Sequence, residues 1–183
     1  MTDASLTPLD VLDFWWQAGP SKWFAKNDTF DGNCRKKFQE ALESAKSGHL
    51  DHWCETADGT LALLLLLDQM SRNIYRGEAE AFAADAKAVS VAELAVARGF
   101  DRAFPHDVRV FFYLPFEHSE DMAHQERAVD LCRMRGNKEV YHYALIHMDV
   151  IRRFGRFPHR NKVLGRISTP EEIAFLQEGG FSA

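Results

Sequence analysis

Signals that start and stop α-helices recur along the whole chain, and they constrain its fold more than any other feature. Thr7 can cap a helix, and Pro8 suits the first helical position because its missing N–H would be unpaired there anyway. Thr169, Pro170 and Glu172 repeat this start signal with the spacing of a capping box. Glycines that can stop a helix follow helix-compatible stretches at Gly48, Gly99, Gly136 and Gly155. Strand signals are few, so the sequence predicts an all-α protein.

The spacing of these signals predicts about seven or eight helices joined by short loops. One helix is predicted from about Phe30 to Ser47, and another is predicted to be capped by Asn137 and to reach Phe154. Asp58 and Ser119 are the expected caps of two further helices, the second running from about Glu120 to Arg135. Pro115 is expected to interrupt the stretch before Ser119, because proline removes a helical hydrogen bond.

The longest apolar run is the segment from Leu61 to Leu67, which is far short of the ~20 residues that span a bilayer. We therefore expect a buried helix and no membrane association. Asp68 follows this run directly, so it starts from a buried position and needs a partner. Arg72 lies four residues later, at the spacing that favours an Asp–Arg pair on one helix face.

Composition narrows the class of protein. A chain of 183 residues with 46% apolar content predicts a single domain, 1–183, with a proper core. The net charge of −5 argues against a general nucleic-acid binder. Cys34, Cys54 and Cys132 form no CxxC pair, and residues 1–10 have no signal-peptide pattern, so we expect reduced thiols in the cytoplasm.

A polar segment from Tyr113 to Glu126 follows an apolar stretch. Gln125 shares a helix face with apolar residues, so its amide is expected to be buried and hydrogen-bonded. Glu117, Asp121 and His124 share another face, which resembles a metal site but is expected to be solvated. No metal and no cofactor are predicted.

A basic segment runs from Arg152 to Asn161, "RRFGRFPHRN". No acidic residue occurs between Asp149 and Glu171, although six arginines and lysines do. Arginine can grip a carboxylate or phosphate with two parallel hydrogen bonds, so the segment can bind an anion. The alternative is that these arginines bind backbone carbonyls and buried acids such as Asp68 and Glu120, holding an irregular loop in place. His147, on the preceding helix, is expected to face the core.

Three segments together resemble the DUF924 family of bacterial proteins of unknown function: "LLLLDQMSRNIYRGEAEAFAADAKA", "FFYLPFEHSEDMAHQERAV" and "RFGRFPHRNKVLGRISTPEEIAFL". The resemblance implies a tetratricopeptide-repeat-like array of antiparallel helix hairpins. The chain has His147-Met148-Asp149 where the family pattern has His-Arg-Asp. The family pattern falls on Asp68, Gln69, Arg72, Asn73, Arg76, Gly77, His118, Ser119, Glu120, Gln125, 154–161 and Gly165.

The first functional hypothesis is a binding module for an anionic small molecule or a peptide carboxylate, at a cleft where the three segments meet. The expected ligand-binding residues are Arg72, Asn73, Arg156, His159, Arg160 and Asn161. The residues expected to orient them are Asp68, Gln125, Asp149 and Arg153. Arg156 or Arg160 is expected to remain available to the anion.

Two alternatives remain open from the sequence. An enzyme could use His118, Glu120, His147 or His159 as acid or base, although no nucleophile is predicted near a base. A structural polar network is the other alternative, with a protein partner bound elsewhere, for example at Trp15, Trp16 or Trp23. The sequence does not determine whether the protein forms oligomers.

Overall fold

The computed structural model describes residues 6–182, and these residues form an all-α fold with no β-strand among them. Eight α-helices in this range have eight residues or more, in agreement with the predicted seven or eight. The fold divides into two compact units, which are described separately below. Within the described range, no helix is long and apolar enough to cross a membrane.

The first unit comprises the described part of Met1–Arg76 together with Glu80–Phe104. Its α-helices are α1 (Pro8–Ala18), α2 (Pro20–Trp23), α3 (Asp28–Lys46), α4 (Ala57–Leu64), α5 (Ser71–Ile74) and α6 (Asp85–Arg98). The connections contain 3₁₀ turns at Asp51–Glu55 and Phe100–Ala103. Trp15 and Trp23 stack within this unit, and Trp15 is fully buried, so this aromatic cluster belongs to the core.

Cap residues begin these helices largely as predicted. Thr7 and Asp10 form a reciprocal capping box at the start of α1. The prediction for Asp58 was wrong, because Thr56 caps α4 by accepting a hydrogen bond from the Gly59 N–H at 3.1 Å. Asp58 already lies in the first helical turn, where its side chain cannot take the cap position.

The leucine run forms the central element of the first unit, as the sequence predicts. Helix α4 passes into a π-helical segment, Leu65–Met70, which continues directly into α5. Every residue from Leu61 to Met70 is buried. Because α1, α3 and α6 pack around it, this continuous helix, which we call the leucine helix, is covered on several faces.

The second unit comprises Gly77–Ala79 and Pro105–Ala183, of which all but the last residue is described. Its α-helices are α7 (His106–Glu117), α8 (Met122–Arg135), α9 (Lys138–Phe154) and α10 (Pro170–Gln177). Helix α8 packs against both α7 and α9, and the connections on either side of it are short. Short connections between packed consecutive helices are typical of antiparallel hairpins. The tetratricopeptide-repeat-like arrangement and the single-domain organisation stay predictions.

Two local expectations for the second unit were wrong. Pro115 lies inside α7 without ending it. It falls close to the C-terminal end of α7, and the buried residues around it hold this helix against the core. Ser119 does not cap α8; Asp121 does, accepting a hydrogen bond from the Ala123 N–H at 2.7 Å. Ser119 instead accepts from the Asp121 N–H and stabilises the turn before the helix.

Candidate functional site

Arg156 is held by a carboxylate from α10. Its Nε donates to Glu172 Oε1 at 2.6 Å, and a terminal nitrogen donates to Oε2 at 2.9 Å. The same nitrogen donates to the carbonyl of Ile167 at 2.8 Å. The Arg156 guanidinium, together with the Thr169 N–H, lowers the pKa of the Glu172 carboxyl to about 2, against the opposing effect of desolvation. Arg156 therefore binds one of the chain's own acids.

Arg166, in the loop between α9 and α10, also binds a carboxylate. Its two terminal nitrogens donate to the two Glu120 oxygens at 2.7 and 3.0 Å, while its Nε donates to Asn161 Oδ1 at 2.9 Å. It also donates to the Phe157 carbonyl at 3.1 Å. Glu120 in turn accepts from the Phe157 N–H at 2.8 Å, which joins the segment after α7 to the loop after α9.

We refer to Glu120, Arg156, Asn161, Arg166 and Glu172 as the loop clamp. Desolvation would raise the pKa of the Glu120 carboxyl, but the hydrogen bonds from Arg166 and the Phe157 N–H hold it below its ordinary value. Asn161 is buried and donates to Ser168 Oγ and Glu172 Oε2, so it also binds inside the clamp. Arg166 and Glu172 were missed as site residues. Their only sequence signals were membership of the basic run and of a capping box.

Gln125 is buried, as its helix face predicts. Its Nε2 lies 2.6 Å from the carbonyls of both Glu117 and Ser119 and 3.3 Å from that of Phe116. These carbonyls lie at the end of α7 and just beyond it, so Gln125 of α8 caps the preceding helix. Gln125 therefore stabilises the contact between α7 and α8.

Asp149 and Arg153 lie on a half-exposed face of α9. Asp149 pairs with Arg152 at 2.9 Å and with Arg153 at 3.8 Å, the latter at the predicted spacing of four residues. The Arg153 guanidinium also stacks on the rings of Phe154 and Phe175, at 4.9 and 4.8 Å from their centroids.

The predicted site residues of the first unit bind acids of that unit. Arg72 makes the predicted pair with Asp68, at 3.3 Å, and a second pair with Asp85, at 3.1 Å. Asn73 donates to Asp31 at 2.8 Å, and Arg76 pairs with the same carboxylate at 2.6 Å. These contacts hold the C-terminal end of the leucine helix against α3 and α6.

Four residues of the second unit come together beside the loop clamp, and we call His118, His147, His159 and Arg160 the histidine cluster. The rings of His118 and His147 have centroids 5.9 Å apart. His159 and Arg160 both contact Phe157. The Phe157 ring centroid lies 5.6 Å from that of His159 and 4.4 Å from the Arg160 guanidinium. The structure thus places three of the four candidate acid–base residues close to one another.

His147 lies at the centre of the histidine cluster and faces the core, as predicted. Its Nδ1 lies 2.8 Å from the Tyr143 carbonyl, so that nitrogen carries a proton, and this hydrogen bond acts to raise the pKa of His147. Glu117 Oε2 lies 3.5 Å from the same nitrogen and would favour a charged ring. Burial outweighs this effect, and together with His118, Arg160 and His159 it lowers the His147 pKa to about 3.

The lowered pKa of His147 predicts a loss of stability in acid. The unfolded chain binds a proton at His147 below a pKa of about 6.5, whereas the folded chain binds it only near 3. The stabilisation is therefore complete above pH 6.5 and is lost as the pH falls towards 3. We expect His147 to account for about 2 kcal/mol of lost unfolding free energy between pH 7 and pH 5.

Urea unfolding at several pH values checks this expectation. The variant His147→Gln should lose less stability between pH 7 and pH 5 than the wild type, because glutamine does not titrate. His142→Gln is the matched control, since His142 lies on the same helix but is exposed. Identical pH profiles for His147→Gln and the wild type would contradict the assignment.

Glu117 corrects the expectation of a solvated acidic face. It is 1% exposed, and its Oε1 lies 3.4 Å from the Cys132 sulfur. Burial and the neighbouring Glu117 raise the pKa of the Cys132 thiol, so this cysteine is unreactive. Within residues 6–182, no three His, Cys, Asp or Glu side chains are arranged to hold a metal ion.

One hydroxyl lies near a potential base, which the sequence did not predict. Ser119 Oγ and His124 Nδ1 are 2.8 Å apart in the connection between α7 and α8. Ser119 also accepts a hydrogen bond from the Asp121 N–H at 3.2 Å. Both contacts stabilise the turn that leads into α8.

Comparison with known proteins identifies the family of the chain. The model of the family described as "Bacterial protein of unknown function (DUF924)" matches residues 11–180. The chain is also similar to the solved structure of "Protein of Unknown Function ATU0120" from Agrobacterium tumefaciens, with 49% sequence identity and a TM-score of 0.90. That match covers 94% of this chain and 97% of the other. A search of curated proteins found no match. The chain therefore belongs to the DUF924 family of bacterial proteins.

Proposed function

We propose that the protein binds a small anion at the histidine cluster. The observation that carries the proposal is the convergence of His118, His159 and Arg160 around His147. These groups contribute, with burial, to the depressed pKa of His147, so they exert a positive potential there that opposes the negative charge of Glu117. An anion at this place would gain from the same potential.

The backbone around the histidine cluster supports a preorganised site. His118 follows the last residue of α7, while His159 and Arg160 lie in a 3₁₀ turn, Pro158–Arg160. Arg160 is 6% exposed, and its guanidinium stacks on Phe157, which is fully buried. Because these groups are already held in place, little side-chain entropy is lost when an anion binds.

The proposed ligand set differs from the set expected from the sequence. His159 and Arg160 remain in it, and His118 is added. Arg156 and Asn161 are assigned to the loop clamp because of their contacts with Glu172. Arg72 and Asn73 are assigned to the first unit, where both bind carboxylates.

The composition supports a small anion in the cytoplasm rather than a nucleic acid. The net charge of −5 would repel an extended phosphate backbone. All three cysteines lie in the structure as thiols, which agrees with a reducing compartment. The enzyme alternative gains no support from the His147–Glu117 pair, because both side chains are more than nine-tenths buried.

Thermal unfolding with added anions tests the proposal. We expect phosphate or acetate to stabilise the protein at constant low ionic strength. A concentration one hundred times the dissociation constant should add about 2.7 kcal/mol to the unfolding free energy. Chloride at the same ionic strength is the control for general screening.

Matched variants locate the effect. His159→Gln and His118→Gln each remove an imidazole from the cluster and should weaken anion binding, measured by calorimetric titration at pH 6. His52→Gln removes an exposed histidine from the first unit and should leave binding unchanged. Equal stabilisation by all the anions in all the variants would contradict a site at the histidine cluster.

A further inference from the structure

A groove of about 240 Å³ lies along α9 in the second unit. Its apolar lining comes from three residues of α9 and two from the C-terminal part of the chain: Leu145, Ile146, Val150, Phe175 and Phe181. The remaining lining residues, His142 and Asp149, are polar. Because Asp149 is acidic, the groove itself is not suited to hold an anion.

Phe181 is shared by the groove and the histidine cluster. Its ring lines the groove, and its centroid lies 4.4 Å from that of His147 and 5.8 Å from that of His159. The ring is only partly buried, and it packs against the apolar cluster that contains Val150 and Phe157. The apolar groove and two rings of the histidine cluster therefore lie within about the width of one aromatic ring.

The position of Phe181 depends on two glycines that end α10. Gly179 has a φ of +79°, and the Gly180 N–H donates to the Phe175 carbonyl at 2.8 Å. A Cβ atom at Gly180 would lie 2.5 Å from Phe175, so any other residue would push the segment away. The chain after α10 is thus folded back so that Phe181 reaches His147.

We propose that the anion is a monocarboxylate with an aliphatic chain of about four to eight carbons. The proposal rests on the proposed anion site: the carboxylate binds at His118, His159 and Arg160. The hydrocarbon chain crosses the exposed edge of the Phe181 ring and lies in the groove against Leu145, Ile146 and Val150. Burial of the chain stabilises the complex in proportion to the apolar surface removed from water.

A chain-length series tests this inference. Calorimetric titration with acetate, butanoate, hexanoate and octanoate should show affinity rising by up to about fourfold for each methylene that is buried in the groove. The increase should level off once the groove is filled. Octan-1-ol has the chain without the charge and should bind at least tenfold more weakly than octanoate.

Two substitutions separate the ends of the ligand. Leu145→Asn should lower the affinity for octanoate severalfold and leave that for acetate unchanged. Leu9→Asn is the matched control, because Leu9 is exposed on α1, and it should change neither affinity. Phe181→Ala should also lower the affinity for octanoate, since it removes part of the apolar wall.

The outcomes distinguish this inference from the proposed function. If acetate and octanoate bind equally well, the inference is wrong while the anion site stands. If octan-1-ol binds as tightly as octanoate, the groove acts alone and the inference is again wrong. If neither phosphate nor any carboxylate binds, both proposals fail. Both proposals are supported if affinity rises along the series, if Leu145→Asn lowers the affinity for octanoate, and if His159→Gln lowers the affinity for every carboxylate.

Discussion

Replacing Asp68 by alanine is expected to lower the free energy of unfolding by on the order of 3 kcal/mol. The Asp68 side chain is 2% exposed and pairs with Arg72 at 3.3 Å, inside the π-helical part of the leucine helix. Removing it leaves a largely buried guanidinium with less compensating charge. Urea unfolding of the purified variant at pH 7 measures the loss.

Two other aspartate-to-alanine variants test whether the loss is specific to Asp68. Asp130→Ala removes an exposed acid that pairs with Arg133 on α8, and it should cost less than about 1 kcal/mol. Asp85→Ala removes the second partner of Arg72 and should cost less than Asp68→Ala, because the Asp85 side chain is 18% exposed and that of Asp68 only 2%. A loss below about 0.5 kcal/mol for Asp68→Ala would show that the pair contributes no more than a surface ion pair.

Replacing Arg166 by alanine is expected to cost a similar amount, on the order of 3 kcal/mol. Arg166 binds both oxygens of Glu120 and also Asn161 and the Phe157 carbonyl. The substitution leaves these partly buried groups without their donor, and it removes the link between the segment after α7 and the loop after α9. The loss is measured by urea unfolding.

Arg152→Ala is the matched control for Arg166, because its side chain is 73% exposed and pairs only with the half-exposed Asp149 among the contacts described above. Arg166→Lys should give an intermediate loss, since lysine keeps the charge but cannot bind both Glu120 oxygens through a planar fork. If Arg166→Ala and Arg152→Ala cost the same, the loop clamp does not stabilise the fold.

Local signals in the sequence predicted many of the helix starts. Thr7, Asn137 and Thr169 each cap a helix as expected, because a cap depends only on residues within one turn. The errors at Asp58 and Ser119 arose where a second capping residue stood two positions away. The choice between such neighbours depends on the backbone angles, which the sequence pattern does not specify.

The candidate site was only partly predictable because its contacts join distant residues. Asp68 and Arg72 lie four positions apart on one helix, so their pair could be predicted. Glu120 and Arg166 lie 46 positions apart, and no local pattern relates them. The basic run between Asp149 and Glu171 therefore suggested unpaired arginines. Glu120 and Glu172, one on either side of the run, bind Arg166 and Arg156 in the structure.

The burial of Glu117 was likewise not predictable from the sequence. Its helix face carries Asp121 and His124, which favoured a solvated position. In the structure, however, α8 and α9 place Cys132 and His147 against Glu117. Burial of a charged residue depends on the packing of later helices, which helical periodicity alone does not describe.

The contact of Gln125 with the end of α7 has a consequence for how the second unit opens. A helix whose last carbonyls are capped by its own residues can fray alone, but α7 is capped by a side chain of α8. Opening of the first turns of α8 removes that cap, so the two helix ends lose their protection together. Native-state hydrogen exchange would then record the end of α7 and the start of α8 as one cooperative unit, although residues 118–121 separate them in the chain.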